Sequence, residues 1–416
     1  MIRQDRPSTA RPDLWRTIEL VAGAGTVAVL TFAYVLGVGR MLGPAEYADF
    51  SAAMSMFYFV AVALSPLAPT TARLVACYVV RGEKHRAGML QGALRRIVLR
   101  WSLFAAIPLL LALVPISRAF HFASPATLAI TFASTAVFTA VNIRRGVLQG
   151  LGRFREHNVS TIVEAALRLA GAVAILMYVP TPTGALVSYL AALIVADLLL
   201  RGRVAEPAER DVDWTEVKRL AAPMFIAMIG VAVFQSADVL AVKRWFTAAE
   251  AGQYGAASTL ARSISVLFVP IYTVAGPLLT HLHERGESLL PATLRLCGYF
   301  VALAALPAAL FALAGETVVA ALYGAAFRAA GPMLARMSGV AVVTYVSLII
   351  GQALITVGDR RFGRIYLAFA IAQVIALVLA RGSIDAIILS LYLVQGGLMI
   401  VMFVVMMGLR AGKQGC

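Results

Sequence analysis

The sequence predicts an all-α polytopic membrane protein with about twelve transmembrane helices, arranged in two six-helix lobes related by a parallel pseudo-twofold repeat. Three observations carry this prediction. Hydrophobic residues fill 61% of the 416 positions and charged residues only 14%, whereas about a quarter of an ordinary soluble domain is charged. Apolar runs such as 18–39 and 384–409 exceed the roughly 20 residues that cross a bilayer as a helix. Finally, one polar turn is written twice. "RMLGPAEYADFSAA" at 40–53 returns as "RWFTAAEAGQYGAA" at 244–257, placing Arg40 on Arg244, Glu46 on Glu250 and Ala52-Ala53 on Ala256-Ala257 at an offset of 204.

The apolar runs give spans at 17–39, 46–72, 97–115, 126–147, 158–179, 184–201, 218–243, 251–280, 292–314, 332–357, 363–381 and 384–408. The N-terminal "MIRQDRPSTARPDLWR" is a short basic tail. The apolar run after it is longer than a signal-peptide core, so it reads as an uncleaved first span. Links between spans are short throughout. The clearest polar stretch is "RGRVAEPAERDVDWTEV", which is charged and contains Pro207. It divides the chain into an N-terminal lobe (1–200), a cytoplasmic inter-lobe linker (201–217) and a C-terminal lobe (218–416).

Orientation follows from lysine and arginine. With the N-terminus inside, cytoplasmic segments hold 27 of the 36 basic residues. The opposite side holds six: Arg40, Arg118, Lys243, Arg244, Arg328 and Arg381. Cytoplasmic links are the ones enriched in positive charge, so both termini are expected inside. The same bias explains the formal net charge of +15. These residues anchor topology and attract anionic lipid heads, and no nucleic-acid partner is expected. Cys77, Cys297 and Cys416 imply no disulfide framework. The sequence has no GxxxxGK[ST] phosphate loop, no HExxH and no paired-Cys zinc pattern. His281 and His283 are two apart and do not share a helix face. No catalytic residue, metal or cofactor is expected.

Both copies of the turn fall on the outer side. Six spans per half is an even number, so both halves enter the membrane in the same sense and the repeat axis runs along the membrane normal. Pro66 in span two precedes Pro270 in span eight by the same 204 residues. "VLQGLGRF" at 147–154 also resembles "ALITVGDR" at 353–360, at an offset of 206. Gly43-Pro44 suits a tight turn. Glu46 and Glu250 stand at helix starts, where a carboxylate meets the positive end of the helix dipole.

At "GRMLGPAEYADF", "TARLVACYVVRGE", "GVLQGLGRF", "DVLAVKRWFTAAEAGQYGAASTL" and "ALYGAAFRAAGPML" the chain resembles the Wzx-type polysaccharide and O-antigen flippases. These belong to the multidrug/oligosaccharidyl-lipid/polysaccharide exporter superfamily. The resemblance covers nearly the whole chain and implies a two-lobed transporter with a central cavity. It further implies an undecaprenyl-pyrophosphate-linked oligosaccharide as substrate, moved from the inner to the outer leaflet by alternating access. Membrane lipids, glycosyltransferases and a polysaccharide polymerase would be its partners. A multidrug-type exporter of the same superfamily is the alternative, followed by a membrane glycosyltransferase or polymerase, which the short outer loops disfavour.

A cavity for such a head group needs polar residues inside spans, where they are costly. Arg168, Arg262 and Arg336 lie within spans five, eight and ten. Glu164 and Arg168, four apart, fit an intrahelical pair. Asp238, with Gln235 a turn earlier, fits three roles: proton acceptor, Na+ ligand or ion-pair partner. Ser51, Ser55, Tyr58 and Ser65 form a stripe on span two, and Ser258, Arg262, Ser265 and Tyr272 form one on span eight. Tyr58 and Arg262 are equivalent at the 204 offset. Such stripes serve either a cavity or close helix packing. The cavity reading gives a candidate set of Arg262, Asp238, Gln235, Tyr58, Ser258, Ser265, Arg168 and Arg336, with Pro66 and Pro270 as hinges.

Overall fold

The structure, a computed structural model, describes residues 14–203, 214–359 and 361–408. The basic N-terminal tail, linker residues 204–213 and the C-terminal tail with Cys416 lie outside the described residues.

The rings of Tyr34 and Phe50 meet edge-on with centroids 5.7 Å apart. A straight helix rises about 1.5 Å per residue and would hold these positions roughly 24 Å apart. Helix α1 (Leu14–Ala63) therefore doubles back on itself. It does so at Gly43, whose φ of 74° is open to glycine without steric cost. Pro44 follows, its fixed φ already suited to a first helical turn. The second copy of the turn uses different chemistry. Thr247 and Glu250 form a capping box at the start of α8 (Ala248–Arg262), with the Thr247 N–H donating to Glu250 Oε2 at 3.0 Å.

Span two continues through α2 (Leu67–Val80). The first half then adds α3 (His85–Ala119), α4 (Pro125–Gly150), α5 (Phe154–Leu176) and α6 (Pro182–Leu200). The second half begins with α7 (Trp214–Trp245). In it, α8 and α9 (Ser265–Glu284) together make one pass. Then come α10 (Leu290–Tyr323), a 3-10 turn (Ala325–Ala330), α11 (Gly331–Thr356), α12 (Arg361–Leu379) and α13 (Ile384–Met407). Counting α1 as two passes, the described helices make twelve passes through the bundle. Helix α3 starts before the expected span at 97 because Arg95, Arg96 and Arg100 end the apolar run without breaking the helix. Its first turns bury Ala87, Leu90 and Leu94 against α2 and α4.

The duplication appears in the helix pairings. Helix α1 packs on α5 as α7 packs on α12, and α5 on α6 as α12 on α13. Likewise α4 packs on α6 as α11 on α13, α2 on α4 as α9 on α11, and α3 on α4 as α10 on α11. Each pairing recurs six passes later in the same sense. The two halves meet mainly where α1 lies against α7 and α8.

A second apolar cluster joins α2, α3 and α4 through Leu74, Tyr78, Leu90, Ile143 and Val147. Val217 is part of it and Trp214 packs against it. Residues 214–217, expected as linker, are thus the first turn of α7, and they rest on the first half.

Candidate functional site

The central cavity lies between the halves and has a volume of about 740 Å³. Thr31, Phe32, Ser51, Ser55 and Tyr58 line it from α1. Gln235, Thr259, Arg262, Ser265 and Tyr345 line it from the second half. Arg262 supplies its charge, and no carboxylate is among the described lining residues. Such a volume matches sites that enclose small-molecule ligands, about 300–1,000 Å³.

Local helix chemistry positions Arg262. It is the last residue of α8, and a break at Ser263 and Ile264 separates it from α9. Pro270 lies inside α9 shortly after the break and cannot donate its share of the helical ladder. At the break the Val266 N–H turns to the Ser263 carbonyl at 3.0 Å instead of reaching back to Arg262. The Tyr345 hydroxyl donates to that freed Arg262 carbonyl at 3.4 Å. In the first half the break falls at residues 64–66, five positions further along by the repeat offset, with Pro66 as the N-cap of α2.

The guanidinium Nη2 of Arg262 donates to Asp238 Oδ1 at 2.6 Å, and the Tyr254 hydroxyl donates to Oδ2 at 3.0 Å. Asp238 is 1% exposed and Arg262 28%, so the ion pair is buried on one side and faces the cavity on the other. Behind it lies an inner chamber of about 30 Å³, lined by Asp238, Ser258, Thr344 and Gln395 among others. A probe volume of about 10–15 Å³ suffices for one water. Gln235, Arg262 and Tyr345 belong to both walls.

Among the expected site residues, the structure gathers Arg262, Gln235, Tyr58 and Ser265 on the large cavity. Asp238 and Ser258 sit one layer deeper, in the inner chamber. Arg168 is elsewhere. It is buried inside the first half, sandwiched between Tyr34 and Tyr189 at 5.0 and 4.7 Å. Its Nη2 donates to Thr31 at 2.6 Å, and Thr31 stands between it and the cavity. Arg336 is also elsewhere, exposed and paired with Asp385 at 2.6 Å. Sequence reasoning missed Tyr254 and Tyr345. Tyr254 was legible as the residue one turn before Ser258, whereas Tyr345 reaches the site from a distant helix with no local signal.

The cavity is shut at the end that carries the turns. The hydroxyls of Tyr47 and Tyr323 meet there at 3.1 Å, and the Tyr47 ring meets Phe327 at 5.6 Å. Arg40 donates to the Ala321 carbonyl at 3.4 Å. Asp49 pairs with Lys243 at 2.5 Å. Gly252 abuts the Pro44 carbonyl so closely that a Cβ would collide with it. Toward the other end, lining residues Val29, Tyr58 and Val266 are 69%, 40% and 57% exposed, so the cavity opens in that direction.

Residues 16–283 match the family described as "Polysaccharide biosynthesis protein". The chain belongs to this family. The match spans the first half and continues through α8 into α9. No curated protein matches the chain. Solved structures share its fold. An inward-facing multidrug resistance MATE family transporter of the MOP superfamily aligns with a TM-score of 0.74 and 14% identity, covering 92% of this chain and 94% of that one. An outward-facing structure of such a transporter aligns at 0.63 and 14%, covering 93% and 95%. The lipid II flippase MurJ, in an inward closed conformation, aligns at 0.68 and 12%, covering 93% and 87%. Family and fold together make the chain a multi-pass membrane protein of the polysaccharide biosynthesis family with the two-lobed fold of these structures. Its shape lies nearer the inward-facing relative than the outward-facing one.

Proposed function

We propose that this member of the polysaccharide biosynthesis family is a flippase of the bacterial inner membrane. It carries an undecaprenyl-pyrophosphate-linked oligosaccharide from the cytoplasmic to the periplasmic leaflet by alternating access, for cell-surface polysaccharide assembly. One observation supports this reading above others: a cavity between two lobes whose wall carries the Arg262 guanidinium and hydroxyl groups and, among the described lining residues, no carboxylate. That lining suits an anionic, hydroxyl-rich head group. A cationic drug would favour the reverse charge, which disfavours the multidrug-exporter alternative.

The physical logic is partition. A sugar pyrophosphate cannot cross hydrocarbon, while its polyprenyl tail can remain there. Arg262 offers two parallel N–H donors to a phosphate, and Ser51, Ser55, Thr259 and Ser265 offer hydroxyls to the sugar. Asp238 holds the guanidinium at 2.6 Å, and a phosphate would compete with it for the same donors. The excess of Lys and Arg on one set of links supports cytoplasmic termini, and then the sealed end is periplasmic and the open end cytoplasmic. The test is reconstitution in liposomes with a lipid-linked oligosaccharide. Outer-leaflet access is read by an impermeant sugar-modifying reagent. Protein-dependent appearance of the lipid in the far leaflet supports the reading; a rate equal to protein-free liposomes contradicts it.

A further inference from the structure

The sealed end has two seams, and they are chemically unlike. Asp49 and Gln253 are equivalent at the repeat offset of 204, and each ties its turn to a neighbouring link. Asp49 Oδ2 accepts from the Ala123 N–H at 2.8 Å, just before α4. Gln253 Nε2 donates to the Ala326 carbonyl at 2.7 Å, just before α11. Gln253 makes its tie without a charge. The charge at Asp49 therefore exceeds what the tie requires, and the other half accounts for it. Lys243, at the end of α7, places its ammonium 2.5 Å from Asp49 Oδ1. The two side chains are 3% and 5% exposed, and the ammonium also lies over the Phe122 ring at 5.6 Å. The residue equivalent to Lys243 is Gly39, where the Tyr323 ring packs instead. One seam is thus ionic and the other aromatic.

We propose that Asp49 and Lys243 are the latch of the sealed end: the pair is closed while the cavity opens to the opposite side and parts when the cavity opens past Asp49. The two charges come from different halves, so the halves cannot separate there with the pair intact. Parting buried charges is costly where no water reaches them. Once that end opens, water enters and solvates both. The latch therefore resists the start of opening but not its completion, which is what a two-state gate requires. Lys243 counts by sequence as an outer topology residue, and its partner lies in the other half, so no local pattern joins them. The inference rests on the transporter reading but not on the identity of the substrate.

The test uses the full chain in right-side-out membrane vesicles, in a background without Cys77, Cys297 and Cys416. A Ser55→Cys reporter on the cavity wall is labelled by an impermeant maleimide added on the face bearing the Arg40–Glu46 turn. Lys243→Gln is expected to raise the labelling rate at least five-fold, and Asp49→Asn, which keeps an acceptor for Ala123, to do the same. Lys243→Arg, which keeps the charge, should stay near the parent rate. Unchanged labelling in both neutral variants overturns the proposal. Should those variants reduce folded protein, a second arm decides. Asp49→Cys with Lys243→Cys, joined by a short cleavable thiol cross-linker, should stop movement of a lipid-linked oligosaccharide until the linker is cleaved. Movement at the uncross-linked rate overturns the latch. The labelling arm needs no substrate, so its result stands apart from the lipid reading.

Discussion

Glu164 lies 2.8 Å from Arg145 of the preceding helix and 3.8 Å from Arg168 on its own. The closer partner is thus tertiary, although the spacing of four fits a pair with Arg168. Arg145 also donates to Ser160, to its carbonyl and its hydroxyl, each at 3.0 Å. One carboxylate answers two buried guanidinium groups, so this cluster carries one positive charge in excess.

Removing that carboxylate should be severe. Glu164→Gln leaves two buried cations uncompensated, and breaking a buried pair costs about 3–5 kcal/mol. The expected outcome is a clear fall in thermal unfolding temperature in detergent. Adding Arg145→Gln should recover part of it. An unchanged unfolding temperature in Glu164→Gln contradicts the pairing.

Gly252 tests the sealed conformation. A Cβ there meets the Pro44 carbonyl, a backbone atom that cannot swing aside. Gly252→Ala should destabilise this state by about 1–3 kcal/mol, as overpacking does. The reporter at Ser55→Cys should then label faster from the turn-bearing face. Parent-like labelling and parent-like stability together would show that the contact tolerates a methyl group.

Pro66 and Pro270 test bending. Each lies at or just after a helix break, at equivalent places in the two halves. Replacing both with Ala restores a helical donor in each pass and should slow flipping several-fold while membrane insertion stays normal. Parent-rate transport in the double variant would leave them as packing features.

Topology is checked with reporters. Ser124, Ala248 and Ala326 should be accessible from the periplasm, and Lys84, Ala208 and the C-terminus from the cytoplasm. A cytoplasmic signal at Ala248 would contradict both the orientation and the parallel repeat.

The fold was legible because bilayer physics writes it into composition. Apolar length gives the passes, and the duplicated turn around Arg40 and Arg244 gives their grouping into halves. Helix ends were less legible where charge ends an apolar run without ending the helix, as at Arg95 to Arg100. The cavity wall was partly legible, since Tyr58, Ser55, Arg262 and Ser265 follow helical spacing on single passes. Depth was not. Spacing placed Arg168 and Arg262 alike, yet Tyr34 and Tyr189 enclose the first while a helix break presents the second to the cavity. Contacts between halves, such as Asp49 with Lys243 or Tyr47 with Tyr323, join residues about two hundred or more positions apart, and no local pattern announces them.

In the transport cycle proposed above, Arg262 leaves Asp238 to hold the anionic head group. An arginine at mid-membrane costs about 2.5–3.5 kcal/mol on insertion scales, and the ion pair with Asp238 offsets that cost. The most direct measurement is the flipping rate of Arg262→Ala in liposomes containing a lipid-linked oligosaccharide, at matched protein abundance and fold. Flipping should fall to background, while Arg262→Lys, with one charge but no planar fork, should keep part of the rate. Well-folded Arg262→Ala protein that flips the lipid at the parent rate would contradict the assignment.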